Sequence, residues 1–366
     1  MIYLDNAATT RTDDNAALTA LEIMRGDYGN PSSLHGMGFA AKKRLDTARA
    51  QVAAALGCAD KEIVFTSGGT EANNLAIFGG AEALKRRGNH IVTSGTEHSS
   101  VLSPAAELER RGFSVSRTAA QEIAGAVTDK TILVTCMMAN SETGALTDIA
   151  KLAAMIRHKS KLCLIHCDAV QAFGKLPFSV RDLGVDLLSV SAHKIHGAKG
   201  CGALYAAKRV MPQMFGGKQE NSLRPGTQPL PGICAFGAAA ENAYLNMAAN
   251  LEKVGKICGY FEEKAANFPG LCINSPAIST PYIRSISLPG FLSAHLVNSL
   301  SAQGICVSGG SACSGGGRSH VLEFMGLENS RIDSALRISF SKYTTEAEID
   351  AFFDALAHTA RTLAKG

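Results

Sequence analysis

Apolar residues over the first 250 positions fall into short, nearly unbroken runs, separated by longer stretches in which they recur every three or four residues. The runs at 62–66, 90–93, 131–138, 162–167 and 186–190 have strand length, and the stretches at 71–87, 103–111 and 148–158 read as amphipathic helices. Strands without polar alternation are covered on both faces. This β-α-β-α rhythm therefore predicts an α/β fold with a mostly parallel central sheet and helices on both faces. From Pro231 the pattern changes. Residues 232–267 read as a long helix broken near Gly255 and Gly259, followed by isolated strands at 282–288 and 336–340 and helices at 294–302 and 345–364. Thr345 and Glu348 have the spacing of a capping box for the last helix. The expected organisation is a large α/β domain at 15–250, with 1–14 and 251–366 forming a smaller α+β domain.

Composition narrows the class. The 366 residues are 46% hydrophobic and 19% charged, enough apolar surface for a sizeable core. A net charge of +4, with no basic block longer than Lys85-Arg86-Arg87, argues against direct nucleic-acid binding. No run approaches the ~18 apolar residues of a membrane span, and Met1-Ile2-Tyr3-Leu4-Asp5 has no signal-peptide character. The ten cysteines include no CxxC pair, which points to a reducing, cytoplasmic setting. Cys163 and Cys167 with His166 between them suggest zinc at first sight, but strand alternation sends His166 and Cys167 to opposite faces. No metal site is expected.

Sheets of this kind bind ligands at the carboxyl ends of their strands, and four loops there carry unusual polar residues. Ser67-Gly68-Gly69-Thr70 leads into a helix, with Thr70 placed to cap it and its exposed N–H groups suited to an anion. Thr96-Glu97-His98-Ser99 presents a histidine, and Asp168 closes an apolar strand ahead of Gln171. Lys194 follows another strand between Ser191, His193 and two glycines. Each loop alone has an ordinary structural reading as a turn, a cap or a surface lysine. Together they supply an anion site, a carboxylate for a ring nitrogen, an imidazole to cover the ring and an amine for an aldehyde, which is what pyridoxal phosphate requires. A fifth segment, Ser308-Gly309-Gly310-Ser311-Ala312-Cys313-Ser314-Gly315-Gly316-Gly317, sets one cysteine among glycines, unlike the others, most of which lie in apolar runs.

With these segments stand Tyr3-Leu4-Asp5-Asn6-Ala7-Ala8-Thr9-Thr10, Tyr28-Gly29-Asn30-Pro31, Asp168-Ala169-Val170-Gln171, Ser191-Ala192-His193-Lys194, Arg224-Pro225-Gly226-Thr227 and Leu336-Arg337-Ile338-Ser339. The set, spread over nearly the whole chain, resembles the group I cysteine desulfurases of the class V aminotransferase group, pyridoxal 5'-phosphate enzymes of fold type I. The resemblance implies that Lys194 holds the cofactor, Asp168 pairs with its ring nitrogen, Gln171 with its phenolic oxygen, and His98 stacks on the ring. It places Gly69, Thr70, Ser191 and His193 at the phosphate, and Thr227 at the phosphate of a neighbouring subunit, hence a homodimer with shared active sites. It assigns the carboxylate of L-cysteine to Arg337 with Asn30, and makes Cys313 the nucleophile that takes the substrate's sulfur. A protein sulfur acceptor, in iron–sulfur cluster assembly or tRNA thiolation, completes the implied reaction. Ser141 stands where an asparagine of that family meets the phenolic oxygen, Ala198 where a proline is usual, and Lys218 where a glycine is common. The segment after Cys313 is also about two residues short, as in a divergent paralogue. Selenocysteine lyase, another class V enzyme and a non-catalytic sulfur-trafficking scaffold are the competing readings.

Overall fold

The computed structural model describes residues 1–309 and 317–363, so Cys313 lies outside the described residues. The chain groups into two compact units. The larger comprises Arg11–Met138 and Thr147–Met247; the smaller comprises Met1–Thr10, Ala139–Leu146 and the chain from Ala248 on.

The larger unit opens with two helices, α1 (Asp14–Arg25) and α2 (Gly36–Leu56). The α/β alternation then runs β1 (Ile63–Thr66), α3 (Gly69–Leu84), β2 (His90–Ser94), α4 (Ser99–Arg110), β3 (Ser114–Thr118), β4 (Thr131–Met137), α5 (Ile149–Lys159), β5 (Leu164–Asp168), β6 (Leu187–Ser191) and β7 (Gly202–Ala206). Among the described residues these strands form a seven-stranded sheet in the order β1-β7-β6-β5-β4-β2-β3. All neighbours are parallel except that β7 runs antiparallel to both β1 and β6. Every residue of β4, β5 and β6 is buried, as the unbroken apolar runs require. Leu75, Ala76, Leu133, Leu164 and Leu187 meet in the core between α3 and the sheet.

The strands β3 and β7 and the helices α1 and α2 are additions to what the pattern predicts. The helix expected over 232–267 divides into α6 (Leu230–Leu245) and α7 (Met247–Ala266). The break falls at Asn246, whose Nδ2 donates to the carbonyl of Asn242 at 2.9 Å. Gly255 and Gly259, where the break was expected, face open space and continue the helix, at a cost of only about 1 kcal/mol each.

In the smaller unit β8 (Cys272–Ile273), β9 (Ile283–Ser287), β10 (Ser308–Gly309) and β11 (Ala335–Ser339) form an antiparallel sheet in the order β10-β11-β9-β8. Helices α8 (Ser293–Ala302) and α9 (Glu346–Thr362) accompany it. Its core gathers Leu4, Phe261, Phe340, Phe352 and Phe353, with Phe261 and Phe353 ring centroids 5.1 Å apart. Thr345 and Glu348 do form the capping box that starts α9. The turn at 139–146, expected within the large domain, groups with this unit: Thr280 N donates to the Gly144 carbonyl, and Leu146 N to that of Ile278.

Candidate active site

The loops leaving the carboxyl ends of β1, β5 and β6 converge in the larger unit. Gly68 adopts φ 154°, a setting that favours glycine, and serves as N-cap of α3. A Cβ built on Gly69 meets Val170 Cγ2 at 2.7 Å and Ser191 Cβ at 3.7 Å. The turn thus needs glycine to seat α3 beside the β5 and β6 loops. Thr70 does not cap the helix as expected. It lies exposed in the first turn, while its carbonyl accepts from Asn74 Nδ2 at 2.8 Å. Ser191 Oγ, at the end of β6, is buried and has no hydrogen-bond partner among the described residues. A buried hydroxyl left so costs about 1–3 kcal/mol, and beside a helix N-terminus it suits an anionic oxygen.

Lys194 ends the short turn Ala192–Lys194 that follows β6, with its side chain partly buried. Burial, reinforced by the positive charges of Lys194, Lys199 and Lys175, pulls His193 down to about 4, so its imidazole is neutral at physiological pH. Asp168 ends β5 with its carboxylate held on both oxygens: Val170 N donates to Oδ1 at 3.0 Å and Asn73 Nδ2 to Oδ2 at 2.7 Å. Gln171 is buried, and its Oε1 accepts from the buried Lys175 Nζ at 3.1 Å. His98 is the N-cap of α4, its Nδ1 accepting from Ser100 N at 3.1 Å.

Two more buried titratable groups lie on the sheet and the loop beside it. His166, fully buried and pulled down to about 3 by burial, sits between the hydroxyls of Thr135 (2.8 Å) and Ser189 (3.0 Å). Glu97 is also fully buried. Desolvation, with Asp168 nearby, lifts its carboxyl well above the usual range, and Oε1 accepts from Met137 N at 2.8 Å. The roles of Asn73, Ser100, Glu97 and Lys175 had no signal in the sequence beyond their proximity to the motifs.

Other sequence-derived candidates fall elsewhere. Asn30 is exposed, its Oδ1 accepting from Ser32 N at 2.9 Å, and Thr227 is exposed in the segment after Arg224. Neither belongs to the buried cluster. Arg337 lies on β11 of the smaller unit and is buried. Its Nη2 donates to Asp5 Oδ1 at 2.8 Å and Ser308 Oγ at 3.1 Å, and its Nη1 to the carbonyl of Ser141 at 3.0 Å. Its Nε is buried with no partner among the described residues. Ser141 thus contributes its carbonyl to Arg337, a contact its side-chain type does not signal. No group of His, Cys, Asp and Glu suited to a metal occurs among the described residues.

Comparison with known proteins adds family context. The family model described as "Aminotransferase class-V" matches residues 2–352. A Bacillus subtilis protein described as putative cysteine desulfurase IscS 1 is 40% identical over 364 residues, covering 95% of each chain. A solved structure titled NIFS-like protein superposes with a TM-score of 0.94 at 37% identity, covering 99% of this chain and 100% of that one. A second, titled SspA in complex with cysteine, gives a TM-score of 0.82 at 30% identity over 94% of this chain and 100% of the other.

Proposed function

We propose how the site works from the premise that the chain belongs to the class-V aminotransferase family and is a pyridoxal-phosphate-dependent cysteine desulfurase of fold type I, converting L-cysteine to L-alanine. The residues present fit that cofactor. The observation that carries the fit is the buried, unpartnered Ser191 Oγ beside the Gly68-Gly69 helix start, in the same turn as Lys194 and two residues past Ser189, the register partner of Asp168 on the adjacent strand. Ser191, His193, Thr70 and the N–H groups from Gly69 onward would bind the phosphate. Lys194 would hold the cofactor through its Nζ, Asp168 would pair with the ring nitrogen, Gln171 with the phenolic oxygen, and His98 would stack on the ring. The chemistry this cofactor supplies when bound is an electron sink for the charge left as the Cα–H bond of the substrate breaks.

The chain's own groups do the rest. Arg337 orients the substrate carboxylate through its remaining donors, with Asn30 assisting, and Lys194 Nζ takes up and returns the Cα proton. The Cys313 thiolate attacks the substrate sulfur. An S–S bond forms and the substrate's C–S bond breaks, its electron pair staying with the carbon fragment, which leaves as L-alanine after protonation. The persulfide on Cys313 then passes to the thiol of a protein acceptor by exchange, in iron–sulfur cluster assembly or tRNA thiolation. Burial pushes the thiols of Cys136, Cys163, Cys167, Cys201, Cys234 and Cys258 upward, which makes them poor nucleophiles and supports the assignment to Cys313.

We further propose a homodimer whose Thr227 reaches the partner's phosphate. Leu18, Leu21 and Met24 recur along one exposed face of α1, with Tyr28, Leu34 and Phe39 exposed after it, and an apolar patch of this kind marks a protein contact. A cytoplasmic location is supported by the cysteines among the described residues, which are all free thiols; no described helix is long and apolar enough to cross a membrane. Replacing Cys313 with Ala tests the central step. The Cys313→Ala protein is expected to keep the cofactor's absorbance and to lose persulfide transfer. Undiminished sulfur release from that variant refutes the assignment.

A further inference from the structure

Two buried side chains join two of the proposed cofactor residues. Asn73, in the second turn of α3, is 1% exposed and Ser100, at the start of α4, is 7% exposed. Asn73 Nδ2 lies 2.7 Å from Asp168 Oδ2 and 2.9 Å from Ser100 Oγ. Ser100 Oγ in turn lies 2.8 Å from His98 Nδ1, and Ser100 N lies 3.1 Å from that same ring nitrogen.

The polarity of this chain is set at both ends by groups with a single role. An ionised carboxylate only accepts, so the amide turns its NH2 toward Asp168. A backbone N–H only donates, so His98 Nδ1 accepts. The hydroxyl between them accepts a hydrogen bond from Asn73 Nδ2 on one side and donates one to His98 Nδ1 on the other. Both amide protons are then spent within the chain, while Asn73 Oδ1 is buried with no partner among the described residues. Ordinary satisfaction of a buried amide would not leave its acceptor idle. The arrangement favours keeping both donors on this path.

We propose that Asn73 and Ser100 are positioning residues that hold His98 as the tautomer carrying its proton on Nε2, with its orientation tied to the ionised Asp168. The consequence for catalysis rests on the reading given above. With Nδ1 accepting from Ser100, His98 presents a donor at Nε2 and cannot take up another proton without giving up its bonds to Ser100. Handling of the Cα proton is thereby left to Lys194, and His98 serves to cover the ring and donate a hydrogen bond.

The test is nitrogen NMR of the holoenzyme labelled with 15N-histidine, the His98 signals being assigned by their loss in His98→Gln. The expected result for the unmodified enzyme is an unprotonated-type shift at Nδ1 and a protonated-type shift at Nε2. Ser100→Ala is expected to bring the two shifts closer together and to lower kcat about 2- to 10-fold, the worth of one hydrogen bond. Ser100→Thr, which keeps the hydroxyl, is expected to restore the separation. A proton found on Nδ1 in the unmodified enzyme overturns the proposal without recourse to any variant, as does a folded Ser100→Ala protein with unchanged shifts. Cofactor uptake is read separately by absorbance. An enzyme that binds no pyridoxal phosphate defeats the functional reading, while the tautomer measured on the same chain still judges the relay.

Discussion

Replacing Arg337 with Lys isolates the geometry of the proposed carboxylate clamp from its charge. A guanidinium has five N–H donors, and in this structure three bonds run to Asp5, Ser308 and the carbonyl of Ser141. What remains is the buried Nε–H and one proton on Nη1, and the former has no partner among the described residues. A lysine ammonium has three donors on a point charge. Satisfying the three existing acceptors exhausts them, so the substrate carboxylate must compete with Asp5. The loss is one to two charge-assisted hydrogen bonds, of which one alone is worth about 1.5–3 kcal/mol. At 1.4 kcal/mol per factor of ten this lowers kcat/KM about 10- to 150-fold. Because the positive charge beside Asp5 is retained, the fold should survive, which a thermal melt checks. Alanine release against cysteine concentration measures the loss, and binding of L-cysteine methyl ester, which has no free carboxylate, supplies the control. The ester should bind the variant and the unmodified enzyme alike. If the folded variant stays within twofold of the unmodified enzyme on L-cysteine, Arg337 does not bind the carboxylate.

Two further predictions concern groups away from the substrate. The carboxyl of Glu97 is raised in the folded state by burial first and by Asp168 second. The folded chain therefore binds this proton more tightly than the unfolded one, and the associated stability, complete below the ordinary carboxyl range, is lost as pH rises toward the raised value. Glu97→Gln, which keeps an acceptor for Met137 N, should gain in melting temperature over the unmodified protein increasingly between pH 5 and pH 8; a difference flat with pH contradicts the assignment. Glu220 is a buried clamp for a strained turn: it accepts from Arg49 Nη1 and Nη2 at 2.8 and 2.7 Å and from Phe65 N at 2.9 Å, while Glu220, Asn221 and Ser222 all have positive φ. Glu220→Gln removes the carboxylate partner of Arg49, costs about 3 kcal/mol and should lower the melting temperature by roughly 6–12 °C; a loss under 2 °C by calorimetry shows that the pair does not hold the turn.

What could be read from the chain alone follows from the range over which each signal acts. The strands β4, β5 and β6 are legible because burial on both faces demands an unbroken apolar run, a property of five to seven consecutive residues. Asp168 and Lys194 are legible for the complementary reason: a charged group directly after such a run stands out. The small-residue elements are not. In α2 the buried positions include Gly38, Ala41, Ala48, Ala53 and Ala55, which blur the helical period. In β7, Gly-Ala-Leu-Tyr-Ala does not resemble a strand until Gly202 is seen packed on Gly68. In α1, Leu18, Leu21 and Met24 repeat with a helical period but face outward.

The polar network fails to show in the sequence for a deeper reason. Asn73 meets Ser100 across 27 positions and Asp168 across 95, so neither partner can be inferred from spacing. An asparagine in the first turns of a helix and a serine next to a cap are both ordinary where they stand. Only the sheet order, which carries the ends of β2 and β5 toward the start of α3, turns two unremarkable residues into the link between an imidazole and a carboxylate. The residues proposed to carry the chemistry are conspicuous because they violate local preference. Those that aim them obey it, and their function exists only in the folded chain.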